Sequence, residues 1–243
     1  AETFRVEDSV RRLLLAYGIE CEVFAIPNCL VISLETANGK PLSIMKRIGF
    51  HGNNLEAVER LNALCRKICA ERPEPGTAEQ WLRQTKAECR VFSTPMYYLG
   101  NFLGPAGFSL LFGGTLRDAF LAGLMGLIVG LVNRYMSKLE TNPFFITIAA
   151  AFAMAVPAYL LAGWGIADNI DAVIIGAAMI LVPGLLITNS MRDLIYGDTN
   201  SGINRIVQVF LTAFAIALGT AAAWPVTAGV YGQTVSGVSV RYP

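Results

Sequence analysis

Five stretches without a single charged side chain, 91–116, 119–133, 141–167, 172–191 and 206–240, constrain this chain more than anything else in it. A helix that crosses a bilayer needs about 20 predominantly apolar residues. Four of the windows meet that length, and 119–136 meets it once Arg134 lies at the interface with its apolar stem in the span. Lipid offers no partner to a backbone N–H or C=O, so a segment there must satisfy its own hydrogen bonds, and a helix does so. The expected fold is an α-helical membrane protein with five transmembrane helices, at about 96–115, 119–136, 143–165, 170–190 and 206–228, preceded by a small cytosolic α+β domain.

The charges divide the chain at about residue 90. Residues 1–90 carry thirteen Lys/Arg and twelve Asp/Glu, and residues 91–243 carry six of each. The domains are therefore expected at 1–90 (cytosolic, α+β) and 91–243 (five spans). Within the first, Val6, Val10, Leu13, Leu14 and Tyr17 share one face of a helix over 2–17, which Gly18 stops. Cys21–Ile26, Cys29–Thr36 and Pro41–Ile48 are β-rich runs separated by Pro27-Asn28 and Asn38-Gly39, which predicts an antiparallel meander. Asn53 with Glu56 predicts a capping box for a helix over 54–71, and Thr77 with Gln80 repeats the device for a helix over 78–90.

Several function classes find no support. A net charge of +1 without a basic patch argues against nucleic acid as a partner. Cys21, Cys29, Cys65, Cys69 and Cys89 are odd in number and all in the soluble part, so they read as reduced thiols. With one His in the chain, Cys65 and Cys69 make a poor metal site, and neither metal nor cofactor is expected. No nucleophile elbow, zinc-protease helix, P-loop or dinucleotide fingerprint is present, so no enzymatic activity is expected. Ala1 stands where a Met would open a chain, so the natural start is expected upstream.

Orientation follows the Lys/Arg content of short loops. Arg134 and Lys138 follow the second window, and Arg192 and Arg205 follow the fourth. Arg117 alone follows the first, and none follows the third. This places the N-terminal domain in the cytoplasm and the C-terminus outside. Gly100/Gly104 and Gly126/Gly130 have the spacing of close helix–helix contact.

The segment 182–205 departs from a simple span. Pro183-Gly184 breaks a helix midway through an apolar run, and Asn189, Arg192 and Asp193 follow within a helical turn. Broken helices free carbonyls and amide ends that transporters use to hold polar solutes. Thr188, Asn189 and Ser190 offer donors and acceptors. Asp193 either titrates with transport or pairs with Arg192 or Arg205. Gly197 and Gly202 suit a tight turn capped by Asp198. The candidate path residues are Pro183, Gly184, Thr188, Asn189, Arg192, Asp193, Asp198 and Arg205. In the cytosolic domain, Glu2, Arg5, Glu7 and the loop His51 read either as a pocket or as a solvated helix end.

Two patches carry a family likeness: Ala1-Glu2-Thr3-x-Arg5-Val6-Glu7, and Val182-Pro183-Gly184 with Asn189, Arg192-Asp193, Gly197-Asp198, Gly202 and Arg205. Gly52-Asn53-Asn54 fits more loosely, and Val235–Pro243 has no counterpart. On these residues the chain resembles the threonine/serine exporter family, in particular its shorter, two-component members of the ThrE/YjjP type. The resemblance implies a multi-pass protein of the bacterial inner membrane. It also implies a partner, a small polytopic subunit of the same family, and a cargo that is a threonine/serine-type amino acid or a dicarboxylate such as succinate, driven by the proton gradient. The alternative is a membrane scaffold subunit with a sensing or hydrolase-like cytosolic domain.

Overall fold

The computed structural model describes residues 3–36, 38–49, 54–89, 92–139 and 141–231. The chain forms two compact units. One gathers the described residues within Ala1–Val91 together with Leu185–Ile206; the other gathers those within Phe92–Gly184 and Val207–Pro243.

In the first unit, helix α1 (Thr3–Ala16) leads to strands β1 (Cys21–Ile26), β2 (Cys29–Glu35) and β3 (Pro41–Arg47), which pair antiparallel in the order β1-β2-β3. The meander is the one the turn residues predict. Gly18 ends α1 with φ +76°, a left-handed conformation that strains any residue with a Cβ. The Glu7 carboxylate on α1 accepts the Ala25 N–H at 2.8 Å, tying helix to sheet and covering part of the β1 edge. Helices α2 (Leu55–Glu71) and α3 (Pro75–Glu88) follow. Asn54 caps α2, its side chain accepting from the Ala57 N–H. Asn53, the predicted cap, lies outside the described residues.

The start of α3 corrects the sequence reading. The helix begins at Pro75, and Glu74 at its N-cap makes no side-chain cap bond. Proline at the first helical position fits because its missing N–H is one the helix could not use and its φ is already helical. Thr77 therefore lies inside the first turn rather than before it. Helix α8 (Gly184–Ile195) and the opening turns of α9 (Thr199–Tyr231) complete this unit from the far end of the sequence.

The second unit is built from α4 (Thr94–Leu111), α5 (Leu116–Ser137), α6 (Pro143–Gly163), α7 (Ile170–Ala178) and the rest of α9. Its core joins Leu121, Ala122, Met125 and Val129 of α5 to Ala150, Met154 and Ala158 of α6 and Val173 and Ala177 of α7. Small residues set the spacing. A Cβ on Gly126 would run into the Asn101 carbonyl and Pro105 of α4, and one on Gly130 would meet the Asn101 side chain. Gly126/Gly130 is thus a contact within the chain, whereas Gly100 and Gly104 face open space.

Among the described residues, α5, α6 and α9 are long and apolar enough to cross a membrane. The protein is mostly helical, with a small three-stranded sheet near its N-terminus. Helix α9 begins at Thr199, seven residues before the expected fifth span, and α4 carries Pro105 in its interior. The expected fourth span, 170–190, is not one helix: α7 stops at Ala178 and α8 starts at Gly184, so the interruption falls where Pro183-Gly184 predicts it.

Candidate functional site

The break hands the chain from one unit to the other, and α8 lies with the N-terminal unit. Two faces of α8 then do different things. Asp193 points inward and is buried. Arg205, from α9, sets its Nη1 3.1 Å from Asp193 Oδ2. Arg205 Nη2 donates to Thr3 Oγ1 at 3.2 Å, and Thr3 Oγ1 donates to Asp193 Oδ2 at 3.4 Å. Three residues spread over the chain close a buried triangle that fastens the first turn of α1 to α8 and α9.

Taking both charges out of water costs several kcal/mol per ion, which only a well-made pair offsets. Here the carboxylate meets a cation and a hydroxyl donor, so the pair is internal structure. Phe4 stacks on Tyr196 beside the same segment, centroids 5.8 Å apart. Of the two expected partners, Asp193 pairs with Arg205, and Asn189, four residues before it, lines the cleft described next while Asp193 does not.

The other face of α8 lines a cleft of about 480 Å³. Thr188, Asn189 and Arg192 enter it from α8, Arg5 and Ser9 from α1, and Asn62 from α2. Its apolar floor includes Val6, Val10, Val58, Leu61 and Leu185. Two guanidinium groups line the cleft, and no Asp or Glu is among its described lining residues. Cys65 also borders it. Its thiol donates to the Ser9 carbonyl at 3.5 Å, and burial, followed by neighbouring Cys69, pushes its pKa above the ordinary value of 9.0.

The remaining candidates separate. Pro183 lies in the turn before α8, and Gly184 opens the helix with space around it. Gly197 turns the chain with φ +87°. Gly202 is not part of that turn. It sits inside α9, where a Cβ would strike Leu194 and the Ser190 carbonyl, so its smallness lets two helices approach. Asp198 precedes α9, and its carbonyl takes the Gly202 N–H at 3.0 Å. Glu7 holds β1, as described above, and does not line the cleft. Glu2 and His51 lie outside the described residues. All five cysteines are free thiols.

Two residues gain roles that the sequence reading did not assign. Thr3 joins the triangle, and only its proximity to the charged pair in the fold reveals it. Asp118, in the helical unit, is fully buried and accepts four bonds: from Thr115 N–H (2.9 Å) and Thr115 Oγ1 (3.0 Å) on one oxygen, and from Asp168 N–H (2.9 Å) and Asn169 N–H (3.1 Å) on the other. It thereby pins the connection before α7 to the start of α5. The Thr115-x-x-Asp118 spacing was the available signal.

A family model matches residues 1–227, that of ThrE, described as "Putative threonine/serine exporter". No curated protein and no solved structure matches the chain.

Proposed function

The chain belongs to the threonine/serine exporter family, and on that premise we propose that it is one subunit of a membrane exporter for small polar metabolites, with the cleft beside α8 as the station that takes solute from the cytoplasm. Membership points to a transporter rather than an enzyme, and the long apolar helices make it a membrane protein.

The observation that carries the reading is the meeting of Arg5, Thr188, Asn189 and Arg192 around one cleft. Guanidinium groups suit carboxylates because their planar fork matches two oxygens. The cleft suits a solute that carries a carboxylate, a feature shared by succinate, threonine and serine, and the family description favours threonine and serine.

Topology follows the same proposal. Five crossings are assigned to α4, α5, α6, the interrupted α7 segment and α9, with the N-terminal domain in the cytoplasm and the C-terminus outside. Helix α7 has nine residues, which rise only about 14 Å against a hydrocarbon core of about 30 Å. An incomplete crossing needs protein around its free backbone ends. Helices α4, α5 and α6 of this chain supply it; a second, small polytopic subunit of the same family as partner, and export driven by the proton gradient, are part of the same reading.

The test is export from proteoliposomes loaded with labelled succinate or threonine and carrying both subunits. Arg192→Gln and Asn189→Ala should each lower flux about tenfold or more, a loss of about 1.4 kcal/mol, with the complex intact. Wild-type flux from both would remove the cleft from the path. The alternative, a scaffold subunit with a sensing domain, gains support from the cleft lying wholly within the N-terminal unit. It predicts altered assembly or regulation with unchanged flux per complex.

A further inference from the structure

The sheet has two edges, and they are treated differently. On β1, the Ala25 N–H is taken by Glu7. On β3, every residue from Pro41 to Arg47 is exposed. The ladder fixes which backbone groups of β3 face away from β2. Thr36 N–H bonds the Lys40 carbonyl and Ile48 N–H bonds the Asn28 carbonyl, one at each end of the β2–β3 pairing. Hydrogen-bonded pairs alternate along antiparallel strands. In the register Leu34↔Leu42, Ile32↔Ile44 and Leu30↔Lys46, Leu42, Ile44 and Lys46 therefore bond inward to β2. Ser43, Met45 and Arg47 turn their N–H groups outward, along with the carbonyls of Pro41, Ser43, Met45 and Arg47. Pro41 stands where its missing N–H breaks no bond.

Natural edge strands are usually blunted by charge, proline or a bulge. From Leu42 to Met45 this edge has none of these, and Leu42, Ile44 and Met45 are 42%, 51% and 73% exposed. We propose that β3 is a self-association edge that pairs antiparallel with β3 of a second copy of this chain, about a two-fold axis at Ile44.

That register is self-complementary and brings the exposed Ile44 of each copy together. It sets Ser43 opposite Met45 of the second copy and Pro41 opposite its Arg47. Each outward N–H of Ser43, Met45 and Arg47 then finds a carbonyl across the axis. The one missing donor, that of Pro41, falls at the end of the ladder. Ile44 meets Ile44 in a non-hydrogen-bonded pair, where side chains come closest, about 4.5 Å between Cα atoms. Glu35, beside Pro41 on β2, comes within reach of the second copy's Arg47 across one strand, about 10 Å away. A two-fold contact of this kind closes on itself and does not propagate into fibres, and copies confined to one membrane meet at raised effective concentration.

Oxidative crosslinking of the full chain in native membranes tests this. Ile44→Cys should give a disulfide-linked species of twice 26.2 kDa, well above the wild-type background from native cysteines. Ser43→Cys, which faces Met45 and not itself, should give several-fold less. Met45→Pro, added to Ile44→Cys, removes an outward N–H without touching the bonds to β2, and should reduce the crosslinked species at least tenfold at unchanged protein level. Ser43→Pro should do the same, which guards against failure of any one variant to fold. Equal crosslinking at positions 43 and 44, persistence in both proline variants, or an adduct of another mass would overturn the pairing.

Discussion

The N-terminal unit and the helical unit each bury one aspartate, and they stabilise it by different means. Asp193 is held by a cation, Arg205, with Thr3 as a second donor. Asp118 has no cation among its partners and is held by three backbone N–H groups and one hydroxyl at the opening of α5. The second arrangement uses the positive end of a helix and a turn, and all its parts lie between Thr115 and Asn169. The first draws residue 3 and residue 205 to residue 193 and exists only in the finished fold. Asp118 is thus a local clasp, while Asp193 couples α8, the helix that lines the cleft, to the first turn of α1.

If the difference is as described, removing the cation should be the more damaging change. Arg205→Ala leaves a buried carboxylate with only a hydroxyl and should cost about 3–5 kcal/mol, read as a fall in the unfolding midpoint of the purified protein. Asp193→Asn combined with Arg205→Met, which removes both charges, should recover much of it. A smaller loss for Arg205→Ala than for the double change would break the comparison.

Asp118→Asn should be milder, at about 1–3 kcal/mol. It keeps one acceptor oxygen but turns an amide toward two donors, and leaves no orphaned charge. The same unfolding measurement decides the order of the two sites. The smallest effect is expected at two hydroxyls, one in each unit. Ser201 and Ser109 are buried without hydrogen-bond partners among the described residues. Ser201→Ala and Ser109→Ala should each be neutral or stabilising by up to about 1 kcal/mol, because an unsatisfied buried hydroxyl is itself a cost. A clear loss at Ser201 alone would mean that its hydroxyl serves the neighbourhood of Arg205.

What could be read from the sequence follows the range of the interaction. The meander was legible because Pro27-Asn28 and Asn38-Gly39 act on their own neighbours, and the break before α8 because Pro183 removes a bond from its own helix. The start of α3 was misplaced because two local signals competed, and proline at Pro75 outweighed the Thr77 box. Thr115 and Asp118 form an equally local box, overlooked because Arg117 and Asp118 read as the charged gap between two apolar windows. The grouping of Arg5 with Asn189 and Arg192 carried no such signal. Both halves lie in family-like patches, yet only the packing of α8 against α1 and α2 shows that they line one cleft. Gly202 misled for the opposite reason: glycine suits a turn and a tight helix contact equally well, and only Leu194 and the Ser190 carbonyl decide between them.

The central claim is that solute occupies the cleft bordered by Arg5, Asn189, Arg192 and Cys65. Cys65 reports on it directly. Its thiol sits above the ordinary pKa, so alkylation is followed at alkaline pH on the purified chain, with Cys89, which does not line the cleft, as the internal reference. The account predicts that millimolar succinate slows labelling of Cys65 several-fold, leaves Cys89 unchanged, and loses this protection in Arg192→Gln. Labelling of Cys65 at the same rate with and without succinate or threonine would contradict it.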